Sequence, residues 1–296
     1  MLLEMKNICK SFGEKRVLRD ISISAGSGKA FGLLGRNGAG KTTSIRILMG
    51  VFPPDSGEIL LDGKPIDHTK VKMGYLPEER GLYPKKIIFD QLIYFAMLKG
   101  MKRDDAEKSI MRLLSRLGME EYALKRLDTL SKGNQQKIQL ITAIAHDPDI
   151  LILDEPFSGL DPVNAMLLKD VVKEEIAKGK IVLFSSHQMN YIEEFCDNIA
   201  ILCDGKIALS GELGEIKRTY RRDRLEISSR DADKIIAFYG DTAKKNDDGN
   251  IVITLSSPDK KREAMTYLSE HFDIDGVRVC EPSLSDIFVE YAGAHI

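Results

Sequence analysis

The chain has 296 residues, 43% of them hydrophobic and 30% charged, and a formal net charge of −2. That length suits one large domain plus a smaller one, and the near-neutral balance gives no sign of a nucleic-acid-coating surface while leaving room for a local patch, so no nucleic-acid partner is expected. No apolar run approaches the ~20 residues of a membrane-crossing helix, and the start, Met1-Leu2-Leu3-Glu4-Met5-Lys6, is no signal peptide.

Residues 2–8 alternate loosely and suit an edge strand. Residues 11–16 read as a turn, and 17–23 as a second strand. Phe12 falls on that turn, where its ring face either stacks on a base or joins the core. Residues 31–34 are an apolar, buried strand. They run into Gly35-Arg36-Asn37-Gly38-Ala39-Gly40-Lys41-Thr42, which fits the phosphate-loop pattern GxxxxGK[ST], with Thr43 following. Glycines at 35, 38 and 40 let backbone N–H groups face inward, and a helix starting at Lys41 adds its N-terminus, which together make an anion site. Lys41 supplies a point charge for the β and γ phosphates, and Thr42 a hydroxyl for Mg²⁺. The helix should end at Gly50. Glu58 to Gly63 is a strand entering an Asp-Gly hairpin turn. Antiparallel strands near 2–8, 17–23 and 58–66 thus flank a nucleotide core. Residues 73–77 return to that core as a strand, and 78–84 form a polar loop.

Strand signals stop over 85–147. Ile88, Leu92, Phe95 and Ala96 keep helical spacing, as do Ile110, Leu113, Leu114 and Leu117, and residues 122–127 read as a short helix. This block is an insertion into the nucleotide fold. Leu130-Ser131-Lys132-Gly133-Asn134-Gln135-Gln136 leads into a further helix. There Ser131 either caps the helix or, with Gly133 and the free N–H groups, binds a phosphate.

Residues 149–156 form an apolar strand with Asp154 and Glu155 at its C-terminal end, where ligand chemistry in open parallel sheets sits. Asp154 would hold Mg²⁺ through water, and Glu155 would polarise the attacking water. Ser158-Gly159-Leu160-Asp161 lies in a tight loop before a helix over 163–177. The strand over 181–187 ends in His187, which is either a satisfied histidine at a strand end or one placed to contact the γ-phosphate or hold the attacking water. A helix over 189–197 and a strand over 198–203 follow, and Gly211 marks a domain edge. Residues 215–224 carry Lys217, Arg218, Arg221, Arg222 and Arg224, a solvated connector or a surface for anionic headgroups or a partner. Short strands and helices then alternate, as in a small α+β domain. The four cysteines, Cys9, Cys196, Cys203 and Cys280, show no CxxC spacing and read as core or partly buried thiols of a reducing compartment.

In this order the motifs resemble the ATP-binding subunit of an ABC transporter over about residues 2–211. Residues 130–136 are similar to the family's signature loop, Ile150 to Glu155 to its Walker B strand, 158–161 to its D-loop and His187 to its switch histidine. Phe12 falls at its adenine-stacking aromatic. Residues 76–83 and 130–136, with the extra C-terminal domain, look like the sodium-exporter-like bacterial subgroup. Three positions depart from the family: Glu78 stands for the usual Q-loop glutamine, Lys132 for a signature glycine and Asn134 for a glutamine. The resemblance implies an α/β phosphate-loop NTPase core (1–211) with an antiparallel β subdomain and a helical insertion (about 85–147), then an accessory α+β domain (212–296). It also implies ATP and Mg²⁺ as ligands, with Thr42, Glu78 and Asp154 toward the metal. A head-to-tail second ATP-binding subunit, identical or paralogous, would bring Ser131 and Gly133, with Asp161 communicating between the two sites, and a separate transmembrane permease would couple through the insertion and the Glu78 loop at the cytoplasmic face of the membrane.

Overall fold

The computed structural model describes residues 1–293 except Arg80, Arg221, Arg222, Asp247, Glu281 and Pro282. The chain divides into two compact units, Met1–Glu212 and Leu213–Ile296.

In the first unit, β1 (Leu2–Phe12) and β2 (Lys15–Gly26) form a hairpin whose last pair is Phe12 with Lys15. Gly13, at φ +59°, permits a two-residue turn, so the turn expected over 11–16 shrinks and Phe12 ends a strand. Next come β3 (Lys29–Gly35), α1 (Lys41–Leu48), β4 (Ser56–Leu61), β5 (Lys64–Pro65) and β6 (Met73–Leu76). The antiparallel sheet has the order β2-β1-β4-β5.

The insertion holds α2 (Ile88–Leu98), α3 (Arg103–Arg116) and α4 (Lys132–Ile144). Where a helix was expected over 122–127 there are two short 3₁₀ turns, Glu120–Tyr122 and Leu127–Thr129. The backbone between them has a different task. The carbonyls of Ala123 and Lys125 accept from Phe89 and Ile88 at 2.9 and 3.0 Å, which satisfies N–H groups that the start of α2 leaves open. His146, just beyond α4, is 3% exposed, and its Nε2 lies 3.1 Å from the Met73 carbonyl, which fixes the proton on Nε2.

Burial pushes the His146 pKa down from 6.5 to about 4. Its folded value lies below the unfolded one, so the unfolded chain takes the proton first, and this contribution to stability, full above pH 6.5, is lost as pH falls toward 4. The thermal midpoint of the chain should fall over that window, and His146→Gln should flatten the fall. Equal slopes in both proteins would show that His146 does not couple to folding.

The unit continues with β7 (Ile150–Asp154), α5 (Pro162–Ala177), β8 (Ile181–Ser185), α6 (Met189–Phe195), β9 (Asn198–Cys203) and β10 (Lys206–Glu212). The second sheet has the order β10-β9-β3-β8-β7-β6, and every pair is parallel except that of β10 with β9. Every residue of β7 and β8 is buried, as expected of strands covered on both faces. Because β3, β8, β7 and β6 are consecutive neighbours, their carboxyl ends share one edge. Phe157 packs against Phe184 and Phe195, with ring centroids 6.2 and 5.3 Å apart, and anchors the loop that leaves β7.

The second unit contains α7 (Leu213–Thr219), β11 (Arg224–Ser229), α8 (Ala232–Tyr239), β12 (Ala243–Lys245), β13 (Ile251–Thr254), α9 (Lys261–His271), β14 (Ile274–Cys280) and α10 (Leu284–Gly293). Its antiparallel sheet has the order β12-β13-β11-β14, over a core of Leu225, Ile227, Ile251, Ile253 and Leu268. Part of the expected basic connector is helical as α7, and Arg221 and Arg222 lie outside the described residues. All four cysteines are free thiols, with Cys196 buried and the others half-buried.

Candidate active site

The phosphate loop leaves β3 at Gly35 and enters α1 at Lys41. At Gly35 a β-carbon would stand 2.6 Å from the Leu202 carbonyl oxygen, so no larger residue fits. Gly40 sits at φ +114°, and a β-carbon there would meet Leu18 at 2.6 Å. No side chain caps α1 and its first turn holds no acidic residue, so its N–H groups and positive dipole end stay open to an anion. Arg36, Asn37, Gly38 and Thr42 are exposed, Thr43 is half-buried, and Ala39 packs inward.

Lys41 turns back onto the loop and donates to the carbonyls of Gly35 at 2.6 Å and Arg36 at 3.3 Å. Burial pulls its pKa down, while the charges of Glu155, Asp154 and Glu78 pull it up. Those carboxylates come from the ends of β7 and β6. Asp154 is 4% exposed, and burial raises its pKa, with Glu78 and Glu155 adding to the rise and Lys41 opposing it. A buried carboxylate of this kind, a nearby helix-start hydroxyl at Thr42 and the exposed carboxylate of Glu78 are hard oxygen donors. They fit a Mg²⁺ that retains waters and phosphate oxygens among its ligands.

Glu155 has φ +49°, a left-handed backbone that swings its side chain from β7 toward the end of β8. The carboxylate is 5% exposed. Its Oε1 accepts from the His187 backbone N–H at 2.7 Å and lies 2.6 Å from His187 Nδ1, and its Oε2 accepts from the Ser186 hydroxyl at 2.9 Å. His187 lies two residues beyond β8 rather than within the strand, and its ring is 60% exposed. Carboxylate and imidazole therefore form one hydrogen-bonded pair, with the ring free to turn toward solvent.

The remaining predicted residues form two further groups. Ser131 caps α4 and accepts from the Asn134 N–H at 3.3 Å, and Asp161 caps α5 and accepts from the Asn164 N–H at 3.0 Å. A β-carbon on Gly133 would lie 3.0 Å from Asn164, so the two capped turns are packed together, and both Ser131 and Asp161 are exposed. Phe12, 49% exposed, presents its ring beside Phe52 in an edge contact at 5.5 Å, with Lys10 Nζ 5.7 Å from one ring and 5.6 Å from the other. The hairpin carrying Phe12 passes the phosphate loop at Val17 and Leu18.

Three residues near these groups escaped the sequence reading. Phe52 braces Phe12. Tyr75 has its hydroxyl pKa pushed to about 12 by burial and then by the Asp154 charge. Ser186 holds Glu155. The Ser185-Ser186 pair before His187 was the available signal for the last of these.

The chain has relatives among known proteins. The ABC transporter family matches residues 18–158, and the family described as the C-terminal domain of ATP-binding proteins like DrrA1-3 matches residues 211–292. An uncharacterized ABC transporter ATP-binding protein, YhaQ of Bacillus subtilis (strain 168), is 42% identical over 99% of both chains. The Nod factor export ATP-binding protein I of Burkholderia lata is 31% identical over 93% of this chain and 95% of its own. A solved structure of an ATP-binding subunit of an ABC transporter superposes with a TM-score of 0.69 at 31% identity, covering 74% of this chain and 93% of that one. The chain thus belongs to the ATP-binding proteins of ABC transporters, ATPase subunits that couple to a membrane permease.

Proposed function

We propose that two copies of this chain close head to tail on ATP and that the closure drives export through a separate permease. The Glu155–His187 pair, set one strand from the phosphate loop, carries this reading. ATP would lie with its phosphates on residues 35–43 and its adenine on Phe12. Lys41 would leave the loop carbonyls for the β and γ phosphates. Thr42 and Asp154 would hold Mg²⁺, with Glu78 accepting from its water shell, and that ion would offset charge on the β and γ oxygens. Glu155 would take the proton of the attacking water, and the exposed His187 ring would turn to the γ-phosphate. Ser131, exposed as the cap of α4, and Gly133, in the first turn of that helix, would come from the other copy and cover the nucleotide, with Asp161 relaying between the two sites.

Residues 1–211 would form this cassette and 212–296 an accessory domain. Export is supported by the name of the Nod factor relative. The finer likeness to the sodium-exporter-like subgroup is supported by residues 76–83 and 130–136 and by the added C-terminal unit. Among the described residues no helix is long and apolar enough to cross a membrane, which fits a separate permease contacting the helical insertion and the Glu78 loop.

Purified chain should hydrolyse ATP at a rate per chain that rises with protein concentration, and EDTA should abolish that rate. A rate per chain independent of concentration down to the nanomolar range would contradict closure between copies. Turnover surviving EDTA would contradict the metal assignment.

A further inference from the structure

Glu155 is held by three donors, and they are not alike. The His187 ring is largely exposed, and its bond to Oε1 breaks if the ring turns to a phosphate. The other two are fixed in the buried start of the β8–α6 loop: the His187 backbone N–H on Oε1 and the Ser186 hydroxyl on Oε2. Ser186 is 3% exposed. Its oxygen also accepts from the Gln188 N–H at 3.0 Å, so the hydroxyl proton is left to point at Glu155. The register supports the same aim, because Asp154 pairs with Ser185 and the Glu155 N–H donates to the Ser185 carbonyl at 2.9 Å. The left-handed backbone at Glu155 then delivers its carboxylate to the next residue of the neighbouring chain segment.

We infer that Ser186 is a positioning residue, holding the Glu155 carboxylate in its reactive orientation once the His187 ring has left it. Ser186 acts through Glu155 and touches no substrate. This rests on the catalytic reading of Glu155. Without the hydroxyl, one carboxylate oxygen loses its fixed donor, and the side chain can rotate about its remaining bond to the His187 N–H. A carboxylate that must be aimed at one water loses rate with such freedom, while nucleotide binding, which does not use Oε2, is spared.

The test is steady-state hydrolysis by full-length Ser186→Ala, Ser186→Thr, Glu155→Gln and the Glu155→Gln/Ser186→Ala double variant. Ser186→Ala should lower kcat roughly 10–10²-fold, as expected for a misaimed catalytic group, with KM for ATP within about twofold. Ser186→Thr, which keeps the hydroxyl, should recover most of the loss. In the Glu155→Gln background, Ser186→Ala should add nothing. Wild-type kcat in Ser186→Ala would overturn the proposal even if Glu155→Gln is inactive, leaving the catalytic reading intact. Wild-type turnover in Glu155→Gln would overturn both. A loss of rate in Ser186→Ala that is fully additive to that of Glu155→Gln would also overturn it, since Ser186 would then act by another route. Should Ser186→Ala fail to fold, wild-type kcat in Ser186→Thr supports the hydroxyl role, and a tenfold loss there opposes it.

Discussion

Glu155→Gln should lower kcat by roughly 10²–10⁴-fold, the range for loss of a positioned general base. The substitution is nearly isosteric, and the strained backbone at φ +49° is already adopted by an L-residue, so the fold has no new reason to change. An amide oxygen can still accept from the His187 N–H in place of Oε1. What it cannot do is take a proton from water. Nucleotide affinity should therefore remain within a few-fold, and the variant should hold ATP without turning it over. Stopped-flow binding and a phosphate-release assay on the same preparation check both halves. Turnover near wild type would remove Glu155 from the mechanism.

Lys41→Ala should act on binding instead. Its ammonium already donates to the carbonyls of Gly35 and Arg36, so a phosphate only has to exchange those acceptors. Two charge-assisted bonds at roughly 1.5–3 kcal/mol each correspond to a loss of roughly 10²–10⁴ in affinity. Burial depresses the Lys41 pKa, and added phosphate charge would pull it back up, so binding itself secures the charged form. Equilibrium titration with a fluorescent ATP analogue reads the effect. A dissociation constant within threefold of wild type would show that the loop backbone alone carries the phosphates.

Much of this was legible in the sequence because it is local. The phosphate loop announces itself through glycine spacing, and the structure explains two of those glycines by the contacts of Gly35 with Leu202 and of Gly40 with Leu18. Residues 150–154 read as a buried strand because both faces are covered. What stayed hidden depends on neighbours distant in sequence. The order β3-β8-β7 places Ser186 against Glu155, and no local pattern states that order. Tyr75 lies in an apolar strand, and only the pairing of β6 with β7 brings it toward Asp154. The segment 122–127 looked helical by composition but pairs its carbonyls with the start of α2, a tertiary demand that overrides local preference. The strand β12 is Ala-Lys-Lys, which carries no alternation of strand type. Its lysines suit an edge, as an edge strand is protected by charge.

Ser131 and Asp161 are exposed on one packed pair of turns, while Lys41, Asp154 and Glu155 cluster at the sheet edge, so the cassette surface presents what reads as two halves of a site. Light scattering of Glu155→Gln with and without MgATP tests this most directly. At saturating MgATP the mass should double from the 33.1 kDa of one chain, and Ser131→Arg in the same background should keep it single. A mass that stays at one chain with ATP bound would contradict the shared site.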